Sequence, residues 1–220
     1  MKFNKYLVGS MIVLSSCYST EQNNITDAES PVVIMEAVED KRYEIDLAYS
    51  SLKWKGNSIT DEHHGYITLQ EGYLIKNVRF IGGKLIADMS SIRAVMHEKE
   101  RDSEKDLVKL SGHLKGEKFF DAENHPNAAF TISKIHERSD ADSLGNNHEI
   151  TGNLMIKGIE KSISFPAKIK ETPEAIKAFA EFQIDRTQWG VNYRSETSWA
   201  NKMISPYISL TIELKANLTE

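Results

Sequence analysis

The 220-residue chain has one cysteine and five prolines, and it lacks both a long apolar run and an excess of positive charge. One cysteine closes no internal disulfide and supplies no multi-thiolate metal site, which excludes stapled secreted scaffolds and zinc ribbons. The longest apolar stretch, Tyr6 to Ser16, is eleven residues; a helix that spans a bilayer needs roughly 20. The 27 Lys and Arg stand against 32 Asp and Glu, a net charge of -5, so no diffuse basic surface for nucleic acid is expected and none is counted among the partners. Catalytic signatures are missing as well. There is no Gly-x-Ser-x-Gly elbow, no phosphate-cradling glycine loop and no dinucleotide fingerprint, so no catalytic residue is assigned.

What is present begins with an address. Met1-Lys2-Phe3-Asn4-Lys5 is a short positive stretch, Tyr6 to Leu14 is apolar, and Ser15-Ser16-Cys17 follows, the three parts of a secretory leader. Leu14-Ser15-Ser16-Cys17 resembles the lipobox of bacterial lipoproteins, which implies a signal peptide over residues 1–16 and lipid attachment at Cys17, the chain's only cysteine. An ordinary leader with an incidental cysteine is the alternative. The expected location is the bacterial cell envelope, with the protein anchored to the membrane by its N-terminal acyl chains and facing the periplasm or the cell surface. Residues 17–41 are rich in Glu, Asp, Asn, Ser and Thr around one apolar island, Val32-Val33-Ile34-Met35, and read as a flexible tether. The sequons at Asn24 and Asn217 are incidental behind a bacterial-type leader.

Residues 42–220 form the expected folded domain. A composition of 40% hydrophobic and 27% charged residues, with a mean hydropathy of -0.43, is ordinary for a globular protein. The dominant period is two. Tyr43, Ile45, Leu47 and Tyr49 alternate with polar or small residues, as do Ile150 to Ile156, Ile163 to Ile169, Ala178 to Ile184 and Ile208 to Leu214. Further strands fit Leu52–Trp54, Tyr66–Leu69, Leu74–Phe80, Leu85–Met89 and Phe130–Ile135, with turns at Glu71-Gly72, Gly82-Gly83, Gly145-Asn146-Asn147 and Lys157-Gly158. Leu107, Leu110 and Leu114 instead recur at helical spacing and predict a helical lid or plug ending at Gly116. The fold class is therefore all-β: an antiparallel meander of about eight strands with a short helical insert. Closing such a meander into a barrel removes its edges, but periodicity alone leaves a solid core or a sandwich equally open.

Four stretches in order resemble the YceI-like family. They are Tyr43-Glu44-Ile45-Asp46 with Ser50, Trp54 and Gly65; His113-Leu114 with Phe119-Phe120-Asp121, His125-Pro126 and Phe130; Gly152 to Gly158 with Lys161; and Phe182 to Arg186 with Trp189-Gly190. Family members usually carry Tyr where His125 stands. The resemblance implies an extended, lipocalin-like antiparallel barrel with an elongated apolar pore that holds a long lipid of the isoprenoid quinone or polyprenyl type. It implies no reaction.

The candidate sites are weighed on that basis. His63 and His64 point to opposite faces of a strand and cannot chelate together. His97, His113, His125, His136 and His148 show no ligand spacing, so no metal is expected. His113 is the best single candidate, against its reading as a helix-end histidine bonded to a strand. Asp185 and Arg186 are expected to pair with different neighbours and lock the turn into Trp189-Gly190. Trp54, Phe80, Phe130, Phe165 and Phe182 are candidate lining residues if the barrel is hollow, and ordinary core if it is not. The function expected is binding or carriage of a long-chain apolar lipid in the envelope, with no cofactor other than that lipid. The alternatives are an envelope structural lipoprotein with a solid barrel core, or an enzyme acting on a lipid.

Overall fold

The computed structural model describes residues 39–58, 61–96, 103–195 and 204–219. Strands dominate: β1 (Lys41–Ile45), β2 (Ser51–Ser58), β3 (Glu62–Lys76), β4 (Phe80–Val95), β5 (Asn127–Glu137), β6 (His148–Ile156), β7 (Ile159–Glu171), β8 (Ala175–Asp185) and β9 (Ile204–Leu218). Among the described residues there is one α-helix, α1, which spans Glu104–Lys115. From β2 to β9 every strand pairs antiparallel with its chain neighbour, and β9 closes on β2 from Ser51↔Glu213 to Ser58↔Ile204. The result is a closed eight-stranded barrel with β1 as an extra strand, which decides between the barrel and the sandwich that the alternating segments left open.

β1 completes the wall where β2 is too short. It pairs with β3 (Tyr43↔Leu74) and with β9 (Tyr43↔Leu218), in line with β2. The expected strand through Tyr49 is broken: Leu47–Tyr49 form a 3-10 turn with both large side chains exposed. Asp46 N–H donates to the Lys215 carbonyl on one side of that break, and Lys215 N–H donates to Ser50 Oγ on the other.

Two expected turns are not turns. Glu71-Gly72 lies inside β3, where a register shift between Leu69 and Glu71 marks a β-bulge. One extra residue moves the inward face from Ile67 and Leu69 to Gly72 and Leu74, because the side-chain period is two. Gly82-Gly83 lies inside β4, and the β3–β4 reversal falls at Asn77–Arg79 instead. A Cβ on Gly83 would stand 2.5 Å from the Tyr73 carbonyl oxygen, and one on Gly72 would meet Leu85 Cδ2 at 2.8 Å. These glycines permit close approach of backbone and side chains within the wall. The turn at Lys157-Gly158 is where expected, with both residues at positive φ.

Between β7 and β8 the wall is only partly laddered. Pairing covers Lys168↔Phe179 to Glu171↔Ile176, while the first part of β7 pairs with β6 alone.

Leu107, Leu110 and Leu114 form one face of α1, as their spacing predicts. Ser103 Oγ caps the helix by accepting from Asp106 N–H, and the Asp106 carboxylate accepts from Ser103 N–H in return. At the other end Gly116 N–H donates to the His113 carbonyl. Ser111 Oγ fastens the helix to the wall by accepting from Ala94 N–H at 2.9 Å. Leu107 and Leu114 are buried, as are Phe119 and Phe120 just beyond, so this segment closes one end of the barrel.

Candidate functional site

Beneath α1 the barrel is hollow. A cavity of about 200 Å³ is walled by Ile67 of β3, Ala87, Met89 and Ile92 of β4, Leu154 and Ile156 of β6, and Ile208 and Leu210 of β9. Leu110, Leu114, Phe119 and Phe120 roof it. Small residues make the room. Ala87 and Ala128 are registered partners on β4 and β5, and both face the space. The Trp54 ring occupies the room left by two glycines, since a Cβ on its cross-strand partner Gly65 would fall 2.5 Å from Cε2 and Nε1, and one on Gly56 would sit 3.9 Å from Cζ3. Gly65 therefore seats the indole against the wall.

The lumen continues away from α1 as two smaller voids. One of about 60 Å³ touches Phe130, Phe165 and Phe182, and one of about 40 Å³ touches Phe80, Phe130 and Phe165. Phe165 lies 5.5 Å from Phe130 and is stacked on Phe182 at 3.9 Å. Of the five aromatic residues named from sequence, Trp54 is thus on the main cavity, and the four phenylalanines fill the narrower half beyond it. Cys17 lies outside the described residues. At the opposite end from α1 a larger groove of about 580 Å³ mixes the charged Lys76, Arg79, Glu137 and Glu171 with the apolar Phe80, Ile135 and Ile169 on its walls.

One charged side chain reaches the main cavity. Arg186 is 2% exposed, and its guanidinium donates to the carbonyls of Ser205, Val191, Tyr193 and Ile204. Burial lowers its pKa, opposed by the neighbouring Asp185. Asp185 turns elsewhere, accepting from the Thr187 N–H and hydroxyl. The pair divides its partners as expected, and Arg186 ties the turn after β8 to the start of β9. Trp189 anchors the same turn by donating Nε1–H to the Leu154 carbonyl at 3.0 Å.

The histidines do not converge. His63 faces the cavity, whereas His64 faces outward to Glu62 at 2.9 Å. The His113 ring is exposed and edge-on to Phe119 and Tyr193, at 5.2 and 4.9 Å; its place is a helix-end aromatic cluster, and the strand bond weighed from sequence is not what holds it. His97 lies outside the described residues. Among the described residues no three His, Cys, Asp or Glu side chains are grouped as metal ligands.

What sequence reasoning missed is the cavity wall itself, because its apolar residues come from many separate strands and no local motif joins them. Arrangement, size and polarity suit one chemistry: holding an apolar chain in water's absence.

The YceI-like domain model matches residues 43–216 of the chain. Among solved structures, Burkholderia cenocepacia BcnA superposes with a TM-score of 0.57 at 18% identity, covering 79% of this chain and 99% of that one. A polyisoprenoid binding domain from Saccharophagus degradans superposes with a TM-score of 0.57 at 10% identity, covering 80% and 98%. No curated protein matches the sequence.

Proposed function

We propose that this chain, which belongs to the YceI-like family over residues 43–216, binds a long-chain apolar lipid in its barrel and holds it in the cell envelope. The observation that supports this reading is the apolar cavity of about 200 Å³ under α1. A five-carbon isoprene unit gains roughly 2 to 4 kcal/mol on full burial, at about 0.8 kcal/mol per methylene. A few units offset an association cost of roughly 4 to 15 kcal/mol without any polar contact.

An isoprenoid quinone or polyprenyl chain is the first class to test, since the Saccharophagus degradans domain of the same fold is a polyisoprenoid binding domain. Binding, not catalysis, is the activity proposed, with acylation at Cys17 as the anchor. The hollow end of the barrel weighs against the alternative of an envelope protein with a solid core.

The test is mass spectrometry of an organic extract from the natively purified full chain, followed by rebinding of a polyprenol, a quinone and a fatty alcohol to the stripped protein. The expected result is one co-purifying amphiphile, near one per protein, and saturable rebinding. An empty extract with no rebinding of any of the three would leave the structural role.

A further inference from the structure

On the outer wall, β7, β8 and β9 set three lysines side by side. Lys170 is registered on Lys177, and Lys177 on Lys215; directly opposite residues stand about 5 Å apart at Cβ, and like charges so placed repel. The next row along holds Lys168 beside Phe179. All four lysines line one open groove of about 370 Å³, with Tyr49 and Phe179 among its walls and Glu213 as its one acid. The neighbouring acids face other partners: Glu213 accepts from Lys53 at 2.9 Å, Asp46 from Lys215 and Asn217, and Glu171 from Lys76. Glu174 lies in the β7–β8 reversal, and Glu181 two rows along β8 from Lys177. Among the described residues Lys168, Lys170 and Lys177 enter no ion pair. The strands are laddered at this point, so the lysines do not guard an open edge.

Apolar side chains stand in water around them. Tyr49 is 72% exposed, with Lys215 Nζ 4.5 Å from its ring centre, and Phe179 is 39% exposed. A Cβ on Gly145 would meet Lys168 Nζ at 3.2 Å, which puts the corner that carries Leu144, 80% exposed, beside the same lysine. A face built only for solubility mixes charges of both signs and keeps large apolar groups away.

We propose that this face docks on a bilayer surface that bears anionic phospholipids, with the lysines meeting phosphates and Tyr49, Phe179 and Leu144 entering the interface between headgroups and acyl chains. Charge complementarity selects an anionic partner, in a chain whose net charge is -5. The aromatic rings alone would equally suit a nucleic acid, on which they stack; an aliphatic Leu144 gains only from acyl chains. The proposal goes beyond the lipid-binding reading and does not depend on it, since docking places the barrel at a lipid surface whether or not the cavity is filled.

The full chain carrying Cys17→Ser, so that acylation plays no part, is sedimented with vesicles of phosphatidylcholine alone and of an equal mixture with phosphatidylglycerol. Tighter partition onto the mixture is expected, weakening as salt rises. Lys177→Gln and the double variant Lys168→Gln, Lys170→Gln are made in the same background, so that the leader contributes equally throughout. Each is expected to lose about fivefold per lysine on the mixture and nothing on phosphatidylcholine. Leu144→Ser is expected to weaken partition onto the mixture at low and high salt alike. These side chains lie on the outer surface, and Lys177→Gln relieves repulsion on both sides, so melting temperatures at or above the parent's are expected. If the folded lysine variants partition as the parent does, the proposal is overturned. If they lose affinity while Leu144→Ser does not, and soluble polyphosphate binds the parent as tightly as the vesicles do, the face reads anions in general and its assignment to a bilayer is overturned. Neither result touches the cargo, which is read by extraction and rebinding.

Discussion

Phe165 and Phe182 stack face to face, ring centroids 3.9 Å apart and planes 6° from parallel, beside a stretch of wall where β7 and β8 share no ladder. The pairing of the two strands stops at Lys168↔Phe179, and continuing its register by three residues sets these rings opposite each other. Pro166, next to Phe165, brings no N–H to the seam. Ring contact therefore stands in for backbone hydrogen bonds at this point, and the same two rings narrow the lumen.

Truncating one of them should trade stability for length. Phe182→Ala is expected to cost about 3 kcal/mol, the lower end for such deletions because the ring is only half-buried. It should also enlarge the void of about 60 Å³ beyond the main cavity, so that the longest alkanol bound becomes longer. Urea denaturation and a chain-length series check the two effects; an unchanged length limit in a folded variant would show that the rings do not set it.

Two glycine substitutions should act in opposite directions. A Cβ on Gly65 would stand 1.9 Å from the Arg93 carbonyl oxygen, so Gly65→Ala must move backbone and is expected to lose about 3 kcal/mol or more. Gly112 sits in α1 with nothing within 4 Å of its would-be Cβ; Gly112→Ala should gain about 0.5 to 1 kcal/mol from helix propensity. Paired denaturant titrations give the sign of each.

Acid should weaken the fold through His148. Burial lowers its pKa, against the opposite pull of Glu137 and Glu171, and its Nδ1 is 2.9 Å from Asn147 Oδ1. The native state thus disfavours a proton that the unfolded chain takes up near pH 6.5. The contribution is complete above that value and is lost as pH falls through the lower folded pKa. Melting temperature is expected to drop between pH 7 and 5, and His148→Gln should flatten that slope. Equal slopes in both proteins would assign the loss to other groups.

Lipidation should depend on Cys17 alone. In Cys17→Ser, incorporation of an alkynyl fatty acid is expected to vanish and unprocessed precursor to accumulate. Normal labelling of that variant would remove the anchor from the functional reading.

The barrel was legible where one residue in two faces inward without interruption, as from Ile208 to Leu214, and α1 was legible from Leu107, Leu110 and Leu114. Glycine misled at Gly72 and Gly83, since the same residue serves a turn and a close approach, and only the three-dimensional neighbour tells which. The alternation from Tyr43 to Tyr49 overran the strand because the 3-10 turn at Leu47–Tyr49 keeps the spacing but exposes the side chains. Trp54 was visible as an aromatic residue, but the seat that Gly65 gives its ring depends on a cross-strand pairing that no local pattern shows.

The pairing of Tyr43 with Leu218 also fixes where the chain enters the barrel: at the end away from α1 and the cavity beneath it. Twenty-four residue steps separate Cys17 from Lys41, a leash of at most about 80 Å when fully drawn out. β3, at 15 residues, measures about 50 Å along its length. An anchor at Cys17 would therefore join the barrel at the end opposite the helical cap, so nothing that holds the chain at Lys41 has to cross the cavity.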